Sequence, residues 1–247
     1  MTAQELYRRL RQELESLIKR HHLEQSPIRL KSRGLSPEEA IGNTRRRDYP
    51  ILAGREVMLQ AEFGEAFGQA FTDAPSDFDG TLEDILSLDP ESDSHSRGLL
   101  VASLNAVMRY TGDIDHTVHC RNDELEQCAE AHAAHIREHF GSPRITLIGY
   151  QPALTARLSQ EFSLRVLDMN PQFVGSERSG ITIEHGTAAY RSAVLEWPEL
   201  ILCTGSTLCN GTFVNYLDTG RPVIFFGISG AAAARIFHLP RFCPMAH

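Results

Sequence analysis

Apolar residues open the chain at Leu6, Leu10, Leu14, Leu17 and Ile18, in steps of three and four with charges between them. This spacing predicts an amphipathic helix over residues 3–22. From 26 to 49 the pattern dissolves into two prolines, two glycines and the run Arg45-Arg46-Arg47, which predicts irregular connection with a short helix started at Ser36-Pro37-Glu38-Glu39. Apolar runs over 57–63 and 66–71 flank Gly64-Glu65 and predict a hairpin. Helices are expected over 81–88 and 96–110, the second with a stripe of Leu99, Leu100, Ser103, Leu104, Val107 and Met108. Together these elements predict a small α+β domain over residues 1–112.

A bridging segment, 113–143, carries a helix over 123–140, started by Asn122 or Asp123 and stopped by Gly141. From Arg144 the pattern alternates. Apolar strands are expected at 145–148, 164–168, 200–203 and 222–226, and helices at 153–162, 188–195, 208–217 and around 231–234. Continuously apolar strands separated by helices predict a parallel sheet covered on both faces. The fold class is therefore α/β, with the N-terminal α+β unit followed by a Rossmann-like domain over 144–247.

Open parallel sheets bind ligands beyond the carboxyl ends of their strands, so the loops there carry the candidate chemistry. The loop after the first strand, Gly149-Tyr150-Gln151-Pro152, is no GxGxxG fingerprint. Asp168 ends the second strand at nearly the spacing of a ribose-binding carboxylate; capping the turn into Asn170-Pro171 explains it equally well. Thr204-Gly205-Ser206-Thr207 leaves an apolar strand and enters an expected helix, where free N–H groups and hydroxyls suit a phosphate or carboxylate. Ser206 or Thr207 as a simple helix cap is the competing reading, although a cap needs no Asn210, Gly211 and Thr212 one turn later. A fourth loop, Gly227-Ile228-Ser229-Gly230, is flexible enough to approach the same ligand.

The stretch Thr204-Gly205-Ser206-Thr207-Leu208-Cys209-Asn210-Gly211-Thr212, with Asp168-Met169-Asn170-Pro171 before it and Phe226-Gly227-Ile228-Ser229-Gly230 after it, resembles the family called "putative heavy-metal chelation". That resemblance implies an N-terminal module similar to the enolase N-terminal domain, a C-terminal Rossmann-like domain and a site in the cleft between them. The segment from Ser96 to Ala106 resembles the family's helix leading to an Ala-Leu-Asn-Ala-like stretch, which makes Asn105 a candidate contact from the first domain.

Metal chemistry has its own candidates. His132, His135 and His139 project from one side of the bridging helix, with Cys128 on the same stripe and His116, His119 and Cys120 upstream. Borderline and soft metals accept these nitrogens and sulfurs, whereas partly exposed histidines bordering an apolar stripe are the more common case. Glu184-His185 is a candidate acid or base, or a surface loop. Cys120, Cys128, Cys203, Cys209 and Cys243 form an odd set without a CxxC pair and are expected as free thiols.

The formal net charge of −8, with Lys and Arg scattered, argues against nucleic acid as a partner. No apolar run reaches membrane-spanning length and the first twenty residues lack an apolar core, so a cytoplasmic protein is expected. Its partner is a small molecule or a metal; a homo-oligomer is compatible with the sequence. Two functional readings stay open. In one, the cleft binds a small anionic or metal-chelating ligand, in heavy-metal or metal-cofactor handling, and a divalent transition metal is the associated ion. In the other, an enzyme uses a nucleotide-type cofactor such as NAD or S-adenosylmethionine, contacted by Gly149 and Asp168. No nucleophile–base pair selects a reaction.

Overall fold

The opening helix, α1 (Ala3–Arg20), is fixed at its start by a capping box: Thr2 Oγ1 accepts from Glu5 N at 3.1 Å, and Glu5 Oε2 accepts from Thr2 N at 2.9 Å. Its leucines are all buried, as their spacing requires. This computed structural model describes residues 1–24, 30–54 and 56–247, so the start of the connection expected over 26–49 lies outside the described residues.

The rest of that connection is not irregular. It contains β1 (Leu30–Leu35), followed by α2 (Pro37–Ile41), which starts at Ser36 as expected. The hairpin forms as β2 (Val57–Phe63) and β3 (Ala66–Thr72), and β4 (Phe78–Gly80) completes an antiparallel sheet of order β3-β2-β1-β4. β1 escapes detection because its alternation is short: Leu30 and Ser32 are buried on one face, Lys31 and Arg33 are exposed on the other, and Leu35 is buried on that second face after Gly34. After α3 (Leu82–Leu86), helix α4 (Ser94–Tyr110) is buried on nearly every side, because it lies between β2 and β3 on one face and α1 and the C-terminal helix on the other.

The second sheet follows α5 (Glu124–Phe140). Its elements are β5 (Ile145–Ile148), α6 (Pro152–Leu158), β6 (Leu164–Asp168), β7 (Glu177–Arg178), β8 (Ile181–His185), β9 (Leu200–Thr204), β10 (Val223–Phe226) and α7 (Ala231–Ile236). The order is β10-β9-β5-β6-β8-β7, parallel apart from β7. The chain builds outward from β5 through β6 to β8, then returns to add β9 and β10 on the other side. Successive strand residues alternate between two cores: Ile148, Leu167, Ile201, Cys203 and Phe225 face α1 and α4, while Leu147, Val166, Leu202 and Ile224 face α5 and α6. This explains strands that are apolar throughout.

Several expectations over this half are corrected. The strand β8 was not expected, because only Ile183 is fully buried in it. The expected helix over 188–195 is a single π-helical turn, Arg191–Glu196, and α6 stops at Leu158. In place of a helix over 208–217 there are two 3-10 turns, Gly205–Leu208 and Phe213–Tyr216. Asn210 interrupts the helical path: its Oδ1 accepts from Thr212 N at 3.0 Å and Thr212 Oγ1 at 2.7 Å, a local turn that competes with helix. Ser206 and Asn210 are therefore not stacked on a common α-helical face. No described helix is long and apolar enough to cross a membrane.

Candidate functional site

The strand order reverses between β5 and β9, and at such a point the loops leaving the carboxyl ends diverge and open a crevice. A cavity of about 450 Å³ lies there, walled on its other sides by the ends of β2 and β3 and by α5. Gly149, Asp168, Asn170, Thr204, Ser206, Thr207, Asn210, Thr212, Gly227 and Ser229 all line it. Gly149 has φ +87°, and a Cβ there would lie 2.5 Å from Thr204 Cγ2, so the β5 and β9 loops touch through a residue without a side chain.

Asp168 is held by the loops around it. Its Oδ2 accepts from Tyr150 N and its Oδ1 from Asn170 N, both at 2.7 Å. Burial raises its pKa, and these backbone donors oppose the rise. The Thr204–Thr212 loop is anchored from the N-terminal half: Tyr7 Oη donates to the Leu208 carbonyl at 2.6 Å, and Arg97 Nε to the Cys209 carbonyl at 2.9 Å. Thr204 Oγ1 accepts from Ser206 N, while Thr207 Oγ1 donates to the Thr204 carbonyl at 2.7 Å. The 3-10 turn that follows offers too few aligned peptide dipoles to make the anion seat expected of an α-helix.

Gly205 and Asn105 do not line the cavity. A Cβ on Gly205 would meet Gly230 N at 2.2 Å, so its role is close packing of the two loops. Asn105 is fully buried and joins three elements: Nδ2 donates to the Gln69 and Ile228 carbonyls, each at 3.1 Å, and Oδ1 accepts from Ala232 N at 2.9 Å. The Gly227–Gly230 loop is likewise clamped, since Ser229 Oγ accepts from Phe71 N at 2.9 Å. Glu184 takes part in an ion pair with Arg165 rather than in the cavity, and His185 is exposed on the edge.

The wall supplied by the first sheet adds carboxylates. Glu56 and Asp73 stand at the open end of the hairpin, one position beyond the paired residues Val57 and Thr72, and both line the cavity. Burial, then the charges of Asp168 and Asp73, push Glu56 up to about 7. Among the described residues lining the cavity none is Lys or Arg. The hairpin register could have revealed this: like charges opposite one another destabilise a sheet and call for a reason.

The α5 side is rich in sulfur and imidazole. His119, Cys120, Cys128, His132 and Cys243 line the cavity, and all five cysteines are free. The Cys120 and Cys128 thiols share a hydrogen bond that lowers the pKa of Cys128 and raises that of Cys120. His132 is buried; its Nδ1 donates to the Cys128 carbonyl at 2.8 Å, and its Nε2 has no partner. His135 and His139 do not line the cavity. His135 stacks on Phe242, with ring centroids 4.3 Å apart, and His139 is exposed beside it. The three histidines thus separate into one inside and two outside. Among the described residues, no three His, Cys, Asp or Glu side chains are grouped so as to hold a metal ion.

This geometry can be set beside known proteins. Residues 132–240 match the DUF364 family, described as "Putative heavy-metal chelation". A crystal structure of a DUF364 protein of unknown function from Pyrococcus horikoshii shares the fold at 18% identity, with a TM-score of 0.52 over 91% of this chain and 80% of that one. A DUF364 protein of unknown function from Desulfitobacterium hafniense matches at 14% identity and a TM-score of 0.46, over 73% of this chain and 72% of its own. No curated protein matches this chain.

Proposed function

We propose that the cleft binds a small metal-bearing ligand, a metal ion already held by an organic chelator. The carrying observation is the set of three carboxylates, Glu56, Asp73 and Asp168, facing a cavity whose described lining has no Lys or Arg. Burial first, and then the charges of Asp168 and Asp73, raise the Glu56 pKa; a cationic centre entering there offsets both effects, and a free anion adds to the repulsion. Because the described residues group no three side chains about one point, a bare ion that needs four or more ligands would be poorly coordinated, and a chelator supplies the remaining ones. A cavity of about 450 Å³ has room for such a complex. Ser206, Thr212 and Asn210 offer hydroxyl and amide groups to the chelator's oxygens. The description of the matched family agrees with this reading.

A nucleotide-type cofactor is favoured by one observation, the reversal of strand order beside Gly149. Against it, the start of α6 is already capped by Gln151, whose Oε1 accepts from Leu154 N at 2.5 Å, and both Asp168 oxygens already accept backbone N–H groups. The melting temperature separates the two readings. Citrate or histidine complexes of transition metals raise it if the cleft takes metal chelates. A rise with NAD or S-adenosylmethionine, and none with the chelates, overturns the proposal.

A further inference from the structure

At the α5 end of the cleft two sulfurs lie together, each next to an imidazole N–H. Cys120 Sγ is 3.8 Å from His119 Nδ1, and Cys128 Sγ is 3.6 Å from His132 Nδ1. Each Nδ1 also contacts a backbone carbonyl, that of Cys120 at 2.6 Å and that of Cys128 at 2.8 Å. A carbonyl only accepts, so both rings carry their proton on Nδ1 and donate it to that carbonyl, with the sulfur of the same cysteine beside the ring. Each ring thereby holds the backbone of the cysteine whose sulfur it adjoins. The His132 Nε2, buried and without a partner, is a second sign that this pocket is not a finished packing core.

We infer that Cys120 and Cys128 form a two-sulfur seat for a thiophilic cation of the Cu(I) class, with His119 and His132 as positioning residues. The inference rests on the reading of the cleft as a metal-ligand site and names the kind of metal it favours. Soft thiolates select such ions over hard ones. Cu(I) is satisfied by two sulfurs, whereas Zn²⁺ in a structural site asks for four ligands, and the described residues offer no such group. On binding, two sulfur–metal bonds form, any S–H bond still present breaks with its proton passing to solvent, and no electron is transferred. Cys243 lines the same cavity and interacts electrostatically with both thiols, so its part in binding is tested separately. Cys203, buried in the opposite core, is not part of the cavity lining.

The test is competition for Cu(I) between the reduced, metal-free full chain and a coloured Cu(I) chelator, with Zn²⁺ titrated separately. The chain is expected to take one Cu(I) in the reduced state. Cys120→Ser and Cys128→Ser each weaken binding by about 100-fold or more, exceeding the 10–100-fold expected for His132→Ala, a supporting group. Cys203→Ser retains binding and shows that removing a buried thiol is not itself disruptive. Full binding by the Cys120→Ser/Cys128→Ser double variant overturns the inference, as does equal affinity for Zn²⁺. Loss of binding in Cys243→Ser, with its fold intact by circular dichroism, overturns the two-sulfur assignment. Because the probe is the ion alone, failure here leaves the chelate reading standing, and failure of the chelate melting test leaves this result interpretable.

Discussion

A Cβ on Gly149 would lie 2.5 Å from Thr204 Cγ2, so the loops after β5 and β9 meet at the one place where the sheet changes direction. Gly149→Ala adds that clash to a backbone with φ +87°. The left-handed conformation costs a residue with a side chain about 1–2 kcal/mol, and overpacking on the order of 1–3 kcal/mol more. Urea denaturation is expected to show a midpoint lowered accordingly, with an unchanged slope.

Asn105→Ala is expected to destabilise without acting on ligand directly. It leaves the Ala232 N–H and the Gln69 and Ile228 carbonyls short of a partner inside the core. The expected loss is on the order of 2–4 kcal/mol. Calorimetry checks the stability, and ligand titration well below the melting temperature should give a stoichiometry and affinity near those of the unaltered chain.

Glu56→Gln isolates a pH effect. The Glu56 pKa is about 7 in the fold against an ordinary 4.5, so the folded state holds the proton more tightly. The associated stability is complete below about pH 4.5 and is lost as pH rises through 7. Glu56→Gln, neutral throughout, should therefore match the parent at acid pH and exceed it by on the order of 1–3 kcal/mol at pH 8. Cation affinity should rise with pH through 7 in the parent and lose that step in the variant. Paired denaturation and binding curves at pH 5, 6, 7 and 8 provide the check.

The sequence made some of this visible through burial. β5, β9 and β10 announce themselves because both faces of each strand are packed, and α1 because one face is. β1 and β8 are hidden by mixed exposure: Lys31 and Arg33 interrupt one, and the other buries only Ile183 among its residues. The loops that line the cavity were legible from their position after apolar strands. The pairing of Glu56 with Asp73 follows from the hairpin register, but their meeting with Asp168 does not, because it needs the hairpin docked on the second sheet. Asn105 and Gly205 illustrate the opposite difficulty. Their residue types suit a site equally well as a joint, and only the hydrogen bonds of Asn105 and the contact with Gly230 decide for the joint.

The central claim is that the cleft carries a metal-bearing small molecule. Elemental analysis combined with native mass spectrometry, on protein purified without added chelators, tests it most directly. A transition metal is expected together with an organic adduct on the chain, both lost from Glu56→Gln/Asp168→Asn while the fold persists. A metal-free chain carrying an adenosine-containing molecule, or a metal content unchanged in the double variant, would contradict it.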